Sequence, residues 1–122
     1  MKIKTLFALN SIIFSVFGLA ALTVPGTVLA LYGGALDRYG VYAVQFLGGT
    51  ILGYAVLTWF ARNAEESQVR HAIILALFVS WTTALILALK GQLLGLYNEL
   101  GWVNVGLSLL FAFGYGYFQI KT

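Results

Sequence analysis

The sequence contains no cysteine, a single histidine (His71) and a single proline (Pro25). Without cysteine the chain has no disulfide, no thiolate nucleophile and no cysteine metal ligand. One histidine also excludes a histidine cluster or a His-x-x-Glu-His site, so we predict no catalytic residues, no metal site and no cofactor. Gly33-Gly34 and Gly48-Gly49 lack the lysine and the strand of a phosphate-binding loop.

Charge is scarce as well. Only 9% of the 122 residues are charged and 61% are hydrophobic, whereas about a quarter of an average soluble domain is charged. The expected surroundings are therefore a lipid bilayer, in which only helices and closed barrels satisfy the backbone, and long uncharged runs favour helices. The formal charge of +3 would suggest nucleic acid in a soluble protein. Here the basic residues lie at helix ends as topology signals, so no nucleic-acid partner is predicted.

Four uncharged runs predict four membrane spans, at about residues 5–24, 39–61, 71–90 and 100–120. Each run is long enough to cross the roughly 30 Å of bilayer hydrocarbon. The predicted fold class is all-α: a polytopic membrane protein with a single domain over residues 1–122 and a four-transmembrane-helix bundle. The first run also has features of a secretory signal peptide, but its length exceeds that of a usual signal core and favours an uncleaved helix.

The single proline marks the end of the first predicted span. Pro25-Gly26 stops the helix, since proline cannot continue the hydrogen-bond ladder. The apolar stretch at about residues 26–36 is too short to span a membrane and too apolar for a solvated loop. We therefore predict an interfacial or re-entrant turn of helix there.

The distribution of basic residues predicts the orientation of the chain. In a four-span topology, five Lys and Arg residues lie on the side of both termini and two lie on the opposite side. This excess predicts that both termini are cytoplasmic, in a bacterial inner membrane. The five are Lys2, Lys4, Arg62, Arg70 and Lys121, and the two are Arg38 and Lys90.

Small residues recur at helical spacing within three of the spans. In the second span Gln45, Gly49 and Gly53 lie four residues apart, which is the small-xxx-small pattern of closely packed membrane helices. The fourth span repeats this amide-then-small pattern from Asn104 onward. The predicted helix-packing residues are Ser11, Ser15, Gly18, Gly49, Gly53, Ala112 and Gly116.

Uncharged polar side chains form the best candidate for a specific binding site. Gln45 and Asn104 enter the membrane from the same face to similar depth, and a threonine of the third span is expected to reach that level. We interpret the cluster as interhelical hydrogen bonding, with about 1 kcal/mol or less per bond. The alternative is a pocket for a quinone, a sterol or another lipid. The cluster comprises Gln45, Thr82, Thr83, Asn104 and Ser108.

An internal repeat is suggested by two similar turn segments. Residues 25–32 and 90–97 share a glycine, two leucines and a tyrosine at an offset of 65 residues. This pattern predicts two helical hairpins inserted the same way round, related by an axis along the membrane normal. The register is open, because Gly53-Tyr54 and Gly114-Tyr115 match at an offset of 61 residues.

Other functional classes receive less support. No acidic residue lies within a predicted span and no basic residue lies deeper than a helix end, which argues against ion-coupled transport. A passive pore lined by neutral polar groups is left open, although a single four-span chain has little room for a lumen. The hydrophilic stretch 62–71 contains Glu65, Glu66 and His71, which we interpret as a solvated connector, with an expected Glu66 to Arg70 pair, rather than as a catalytic group.

The layout of the chain resembles small bacterial four-helix membrane proteins of the DoxX-like type. The resemblance rests on short loops, the Pro25-Gly26 turn with its apolar segment, and a glycine-rich second helix that ends in Trp59-Phe60-Ala61-Arg62. It implies an accessory role near quinone-linked redox complexes. Together with the residues themselves, it favours a non-enzymatic structural or accessory subunit that packs into a homo-oligomer or with other membrane subunits. The alternative is a binder of a quinone, lipid or pigment.

Overall fold

A computed structural model describes residues 2–121 of the chain, and this part is helical without strands. Its helices are α1 (Ile3–Thr23), α2 (Pro25–Leu31), α3 (Arg38–Ala61), α4 (Gln68–Leu93) and α5 (Gly101–Lys121). Four of them, α1, α3, α4 and α5, are long and apolar enough to cross a membrane. The predicted all-α class with four potential spans is confirmed. Helix α4 extends three residues beyond the predicted span at each end.

The chain divides into two compact units, Met1–Asn63 and Ala64–Thr122. In the first unit α1 packs against α3, with the short α2 between them in sequence. In the second unit α4 packs against α5. We call these units the first hairpin and the second hairpin.

Local sequence signals set the helix boundaries. Pro25 occupies the first turn of α2, where a missing N–H costs no hydrogen bond, and α1 ends two residues earlier at Thr23. The Asp37 side chain caps α3 by accepting from the Gly40 N–H at 2.7 Å. Ser67 caps α4 by accepting from the Arg70 N–H at 3.2 Å. Both caps satisfy backbone donors that the first helical turn leaves free.

Both hairpins turn at a glycine in the left-handed region. Gly33 has φ of 84° and Gly95 has φ of 71°. The N–H of the next residue reaches five residues back in each case, from Gly34 to Leu29 and from Leu96 to Gly91. This is the Schellman arrangement that ends a helix at glycine. The equivalent turns therefore lie 62 residues apart, which corrects the offset of 65 expected from the sequence.

The first hairpin is closed by direct backbone contact between its long helices. A Cβ on Gly18 would lie 3.0 Å from the Gly48 carbonyl oxygen, and a Cβ on Gly48 would lie 2.9 Å from the Gly18 carbonyl oxygen. About two helical turns from Gly18, Ser11 Oγ donates to the Ala55 carbonyl at 2.8 Å. These contacts fix the antiparallel register of α1 and α3.

The second hairpin is closed by aromatic side chains. The rings of Trp81 and Phe111 stack with centroids 4.6 Å apart and an interplanar angle of 15°. The Phe78 ring fills the space beside Gly116, where a Cβ would lie 3.0 Å from Phe78 Cε1. At the turn, the Gln92 amide lies against Gly101 and its Nε2 donates to the Asn98 carbonyl at 3.2 Å.

Candidate functional site

The exposed face of α3 differs from what the small-residue pattern predicted. Nothing lies within 4 Å of the Cβ positions of Gly49 and Gly53, and both residues are exposed. Gly48 makes the contact with α1 instead. Neighbouring residues of a helix point about 100° apart, so a shift of one residue selects another face. Within the first hairpin Gly49 and Gly53 therefore do not pack against α1, and their side of α3 is open there.

A groove of about 610 Å³ lies on this open face. Its floor is bare backbone at Gly49, and the rings of Tyr42 and Phe46 border it, with 60% and 78% of their surface exposed. No charged side chain lines it. Its largely apolar lining suits an apolar chain or another helix, and its polar residues, Tyr42, Gln45 and Thr50, are uncharged. It is lined by Leu22, Tyr42, Gln45, Phe46, Gly49 and Thr50.

Gln45 joins the groove to the break between α1 and α2. Its Nε2 donates to the Leu22 carbonyl at 3.2 Å. That carbonyl lies in the last turn of α1, where the helix ends at Thr23 and carbonyl groups need partners from outside the helix. Gln45 thus acts as an interhelical hydrogen-bond donor at the end of the groove.

Four members of the predicted polar cluster, Thr82, Thr83, Asn104 and Ser108, belong to the second hairpin. Thr83 is exposed and donates to the Val79 carbonyl of its own helix at 2.9 Å. The Trp81–Phe111 stack puts Asn104, which precedes Phe111 by seven residues, about 10 Å along α5 from the level of Trp81 and Thr82. The expectation that Thr82 or Thr83 reaches the depth of Asn104 is therefore wrong.

Two members of the cluster lie inside the protein. Ser108 is 3% exposed. The Thr82 hydroxyl oxygen is buried and has no hydrogen-bond partner among residues 2–121. Asn104 is half-buried. Ser108 and the Thr82 hydroxyl therefore occupy interior positions of the second hairpin.

The other predicted packing residues have varied environments. Gly18 is buried against α3, and Ser11 is 5% exposed and bonded to it. Ala112 is 6% exposed, Gly116 contacts Phe78, and Ser15 is half-buried. In each hairpin the register of the two helices decides which small residues lie between them.

Two important packing sites were not predicted from the sequence. The four-residue spacing of small residues selects Gly49 rather than Gly48, and no sequence pattern selects Phe111. Gly48 contacts Gly18, Ala21 and Leu22 of α1, a match that becomes visible only when the two helices are brought together. Phe111 is one of nine phenylalanines in an apolar chain, and nothing in its local pattern separates it from the others.

The connector between the hairpins forms different polar contacts from those expected. Glu66 lies 3.6 Å from His71, whereas Arg70 donates to the Ala64 carbonyl at 3.1 Å. The expected Glu66 to Arg70 pair is therefore wrong, because the Arg70 guanidinium reaches the Ala64 carbonyl and Glu66 lies beside His71. Among residues 2–121 no three His, Cys, Asp or Glu side chains are grouped closely enough to hold a metal ion.

Comparison with known proteins gives a family but no described relative. No curated protein matches the chain, and no solved structure matches it. One family model matches residues 6–120, which is nearly the whole chain, and is described as a domain of unknown function, DUF8292. The chain belongs to the DUF8292 family.

Proposed function

We propose that this chain is a non-enzymatic integral membrane subunit that assembles through the open face of α3, with a second copy as its partner. The observation that carries the proposal is the pair of bare glycines, Gly49 and Gly53, on the exposed side of a helix long enough to span a membrane. Lipid tails cover such a face poorly compared with another helix that can approach its backbone closely.

The neighbouring side chains suit a symmetric pair. In a bilayer two copies with the same topology pair around an axis along the membrane normal, so residues at the same depth meet. Gly49 and Gly53 of each copy would face one another, while Phe46, 78% exposed one turn away, would pack beside the partner's groove. Close approach of glycine backbones also permits weak Cα–H···O contacts across the pair.

Self-association is tested by filling the glycine face. In liposomes, Förster transfer between labelled copies should report a dimer for the natural chain. Replacing Gly49 and Gly53 with leucine should weaken association by about ten-fold or more, because the added side chains separate the helices. Gly106→Leu is the matched control, since nothing lies within 4 Å of its Cβ position either. A monomeric natural chain, or equal association of all variants, would contradict the proposal.

We also propose that both termini face the cytoplasm of a bacterial inner membrane. The support is the five-to-two distribution of basic residues at the helix ends. The cysteine-free sequence allows a direct test with single cysteines at Asn63 and Leu96. In intact cells an impermeant maleimide should label Leu96→Cys and spare Asn63→Cys, and the reverse pattern would overturn this orientation.

A second candidate function is binding of a hydrophobic small molecule such as a quinone or lipid. The groove of about 610 Å³ favours it, because that volume suits a small-molecule ligand and Gln45 lies at its end. The accessory redox role implied by the DoxX-like resemblance belongs with this candidate. Native mass spectrometry distinguishes the two functions: a monomer with one retained apolar molecule, lost in Gly49→Leu, would favour binding over assembly.

A further inference from the structure

Charge is distributed unevenly between the ends of the first hairpin. At the end where α1 begins and α3 stops, Lys2, Lys4 and Arg62 are present and no acidic residue belongs to the hairpin. At its opposite end Asp37 accompanies Arg38. The first hairpin therefore carries three cationic side chains at one end without an acidic residue of its own.

The second hairpin has no such excess where α4 begins and α5 ends. Glu65 and Glu66 precede α4, and the two basic residues at these termini are Arg70 and Lys121. Glu66 lies 3.6 Å from His71. Two acidic and two basic residues balance this end.

The register of α1 and α3 brings two of the three cations to one level. Ser11 and Ala55 are joined by a hydrogen bond of 2.8 Å. Lys4 precedes Ser11 by seven residues, and Arg62 follows Ala55 by seven residues. Seven residues are nearly two helical turns, about 10 Å, so Lys4 and Arg62 lie on the facing sides of the antiparallel helices at the same depth.

The Arg62 guanidinium is held in place by Trp59. Its carbon lies 3.7 Å from the centroid of the indole ring, and its Nη1 donates to the Trp59 carbonyl at 2.5 Å. Within the first hairpin no carboxylate pairs with Arg62, Lys2 or Lys4, because its one acidic residue, Asp37, lies at the opposite end. A guanidinium has five N–H donors, so most of those of Arg62 are available to an anion.

We propose that Lys2, Lys4 and Arg62 form a binding site for the phosphate of an anionic phospholipid. Phosphate matches both the charge of the site and the planar donor geometry of arginine. The lipid source is favoured by the exposed rings of Trp59 and Phe60, 43% and 75% exposed, which lie beside the charge and would contact the upper part of the acyl chains. The phosphate of the headgroup would thus contact the cations, and the acyl chains would contact the aromatic rings.

The test measures lipid binding to the detergent-purified full chain by native mass spectrometry. Phosphatidylglycerol is titrated against phosphatidylcholine, and the natural chain should prefer phosphatidylglycerol. Each cation near the surface contributes about five-fold to the affinity for anionic lipid. The double variant Lys4→Gln with Arg62→Gln should therefore lose about twenty-five-fold of the preference.

Two control variants separate the site from general charge. Arg38→Gln removes one cation from the opposite end of α3 and should leave the preference unchanged. Lys4→Arg with Arg62→Lys conserves charge and should retain most of the binding. Circular dichroism of each variant checks that the helices persist.

Three results would overturn the proposal. The first is equal binding of the two phospholipids by the natural chain. The second is a preference retained in the Lys4→Gln, Arg62→Gln variant or lost equally in Arg38→Gln. The third is equally tight binding of glycerol phosphate, which lacks acyl chains and would point to a free phosphate ester as the ligand.

Discussion

In the first hairpin α1 and α3 touch backbone to backbone at Gly18 and Gly48, whereas in the second hairpin α4 and α5 meet through the stacked rings of Trp81 and Phe111. Both hairpins share the same glycine turn geometry. The turn therefore does not determine how the helices pack. The side chains at the crossing do.

The comparison illustrates two ways to hold helices together where lipid removes the usual hydrophobic driving force. Helices can gain van der Waals contact by coming very close, which needs residues without side chains, or by filling the space between them with large rings. The first hairpin should therefore be sensitive to added atoms. The second hairpin should be sensitive to lost atoms.

Removal of a ring from the second hairpin should have the largest effect. Phe111 is 1% exposed, so Phe111→Ala should leave a cavity beside Trp81 and lower the free energy of unfolding by roughly 3 to 5 kcal/mol. Unfolding by sodium dodecyl sulfate from mild detergent micelles, followed by circular dichroism, measures the change. Phe113→Ala is the matched control, because Phe113 is 71% exposed and should change stability by less than about 0.5 kcal/mol.

Addition of a methyl group to the first hairpin should have the next largest effect. A Cβ on Gly48 would lie 2.9 Å from the Gly18 carbonyl oxygen and 3.0 Å from the Leu22 nitrogen, both backbone atoms that move only with the helix. Gly48→Ala should cost about 1 to 2 kcal/mol of unfolding free energy.

Gly49→Ala is its matched control, one residue further along α3. Nothing lies within 4 Å of that Cβ position, and alanine favours helix over glycine by about 0.5 to 1 kcal/mol. The same detergent titration should therefore find Gly49→Ala as stable as the natural chain or slightly more so. Equal losses for both variants would show that the α1–α3 contact is not selective.

The shared turns should respond alike in the two hairpins. Gly33→Ala and Gly95→Ala each force an L side chain into the left-handed region, at a cost of about 1 kcal/mol. Gly26→Ala, which meets neither positive φ nor a neighbouring atom within 4 Å, should be nearly neutral. A marked difference between Gly33→Ala and Gly95→Ala in thermal unfolding would break the equivalence of the turns.

Loss of the Ser11 hydroxyl should have the smallest effect. Ser11→Ala removes the hydrogen bond to the Ala55 carbonyl, yet Thr58 Oγ1 also donates to that carbonyl at 3.2 Å. The acceptor retains a side-chain partner, so the expected loss is about 0.6 kcal/mol. The double variant with Thr58→Ala should lose more than the sum of the single variants, which a double-mutant cycle measures.

The sequence predicts the helices well because their signal is length and hydropathy. Four long apolar runs are sufficient to identify the four long helices, and the single proline marks the interruption between α1 and α2. The face of each helix that packs is much harder to predict. In a soluble helix the buried face is apolar and the exposed face is polar, but in these spans both faces are apolar and the usual asymmetry disappears.

The glycines of α3 are an example of a packing face that the sequence does not identify. The four-residue spacing of Gly49 and Gly53 is a recognised packing pattern, whereas Gly48 is part of no such pair on its own helix. Its partner, Gly18, lies on another helix, so the match appears only after α1 and α3 are brought together. Thr83 illustrates the same point for polar residues, because its own helix already supplies an acceptor at Val79.

The contacts that close the first hairpin all arise within its own part of the chain, between residues that precede α4. Translation delivers this segment first, and compact units generally form as they are synthesised. Gly18 can therefore meet Gly48 before α4 and α5 have been synthesised, so the packing of the first hairpin does not depend on the later helices.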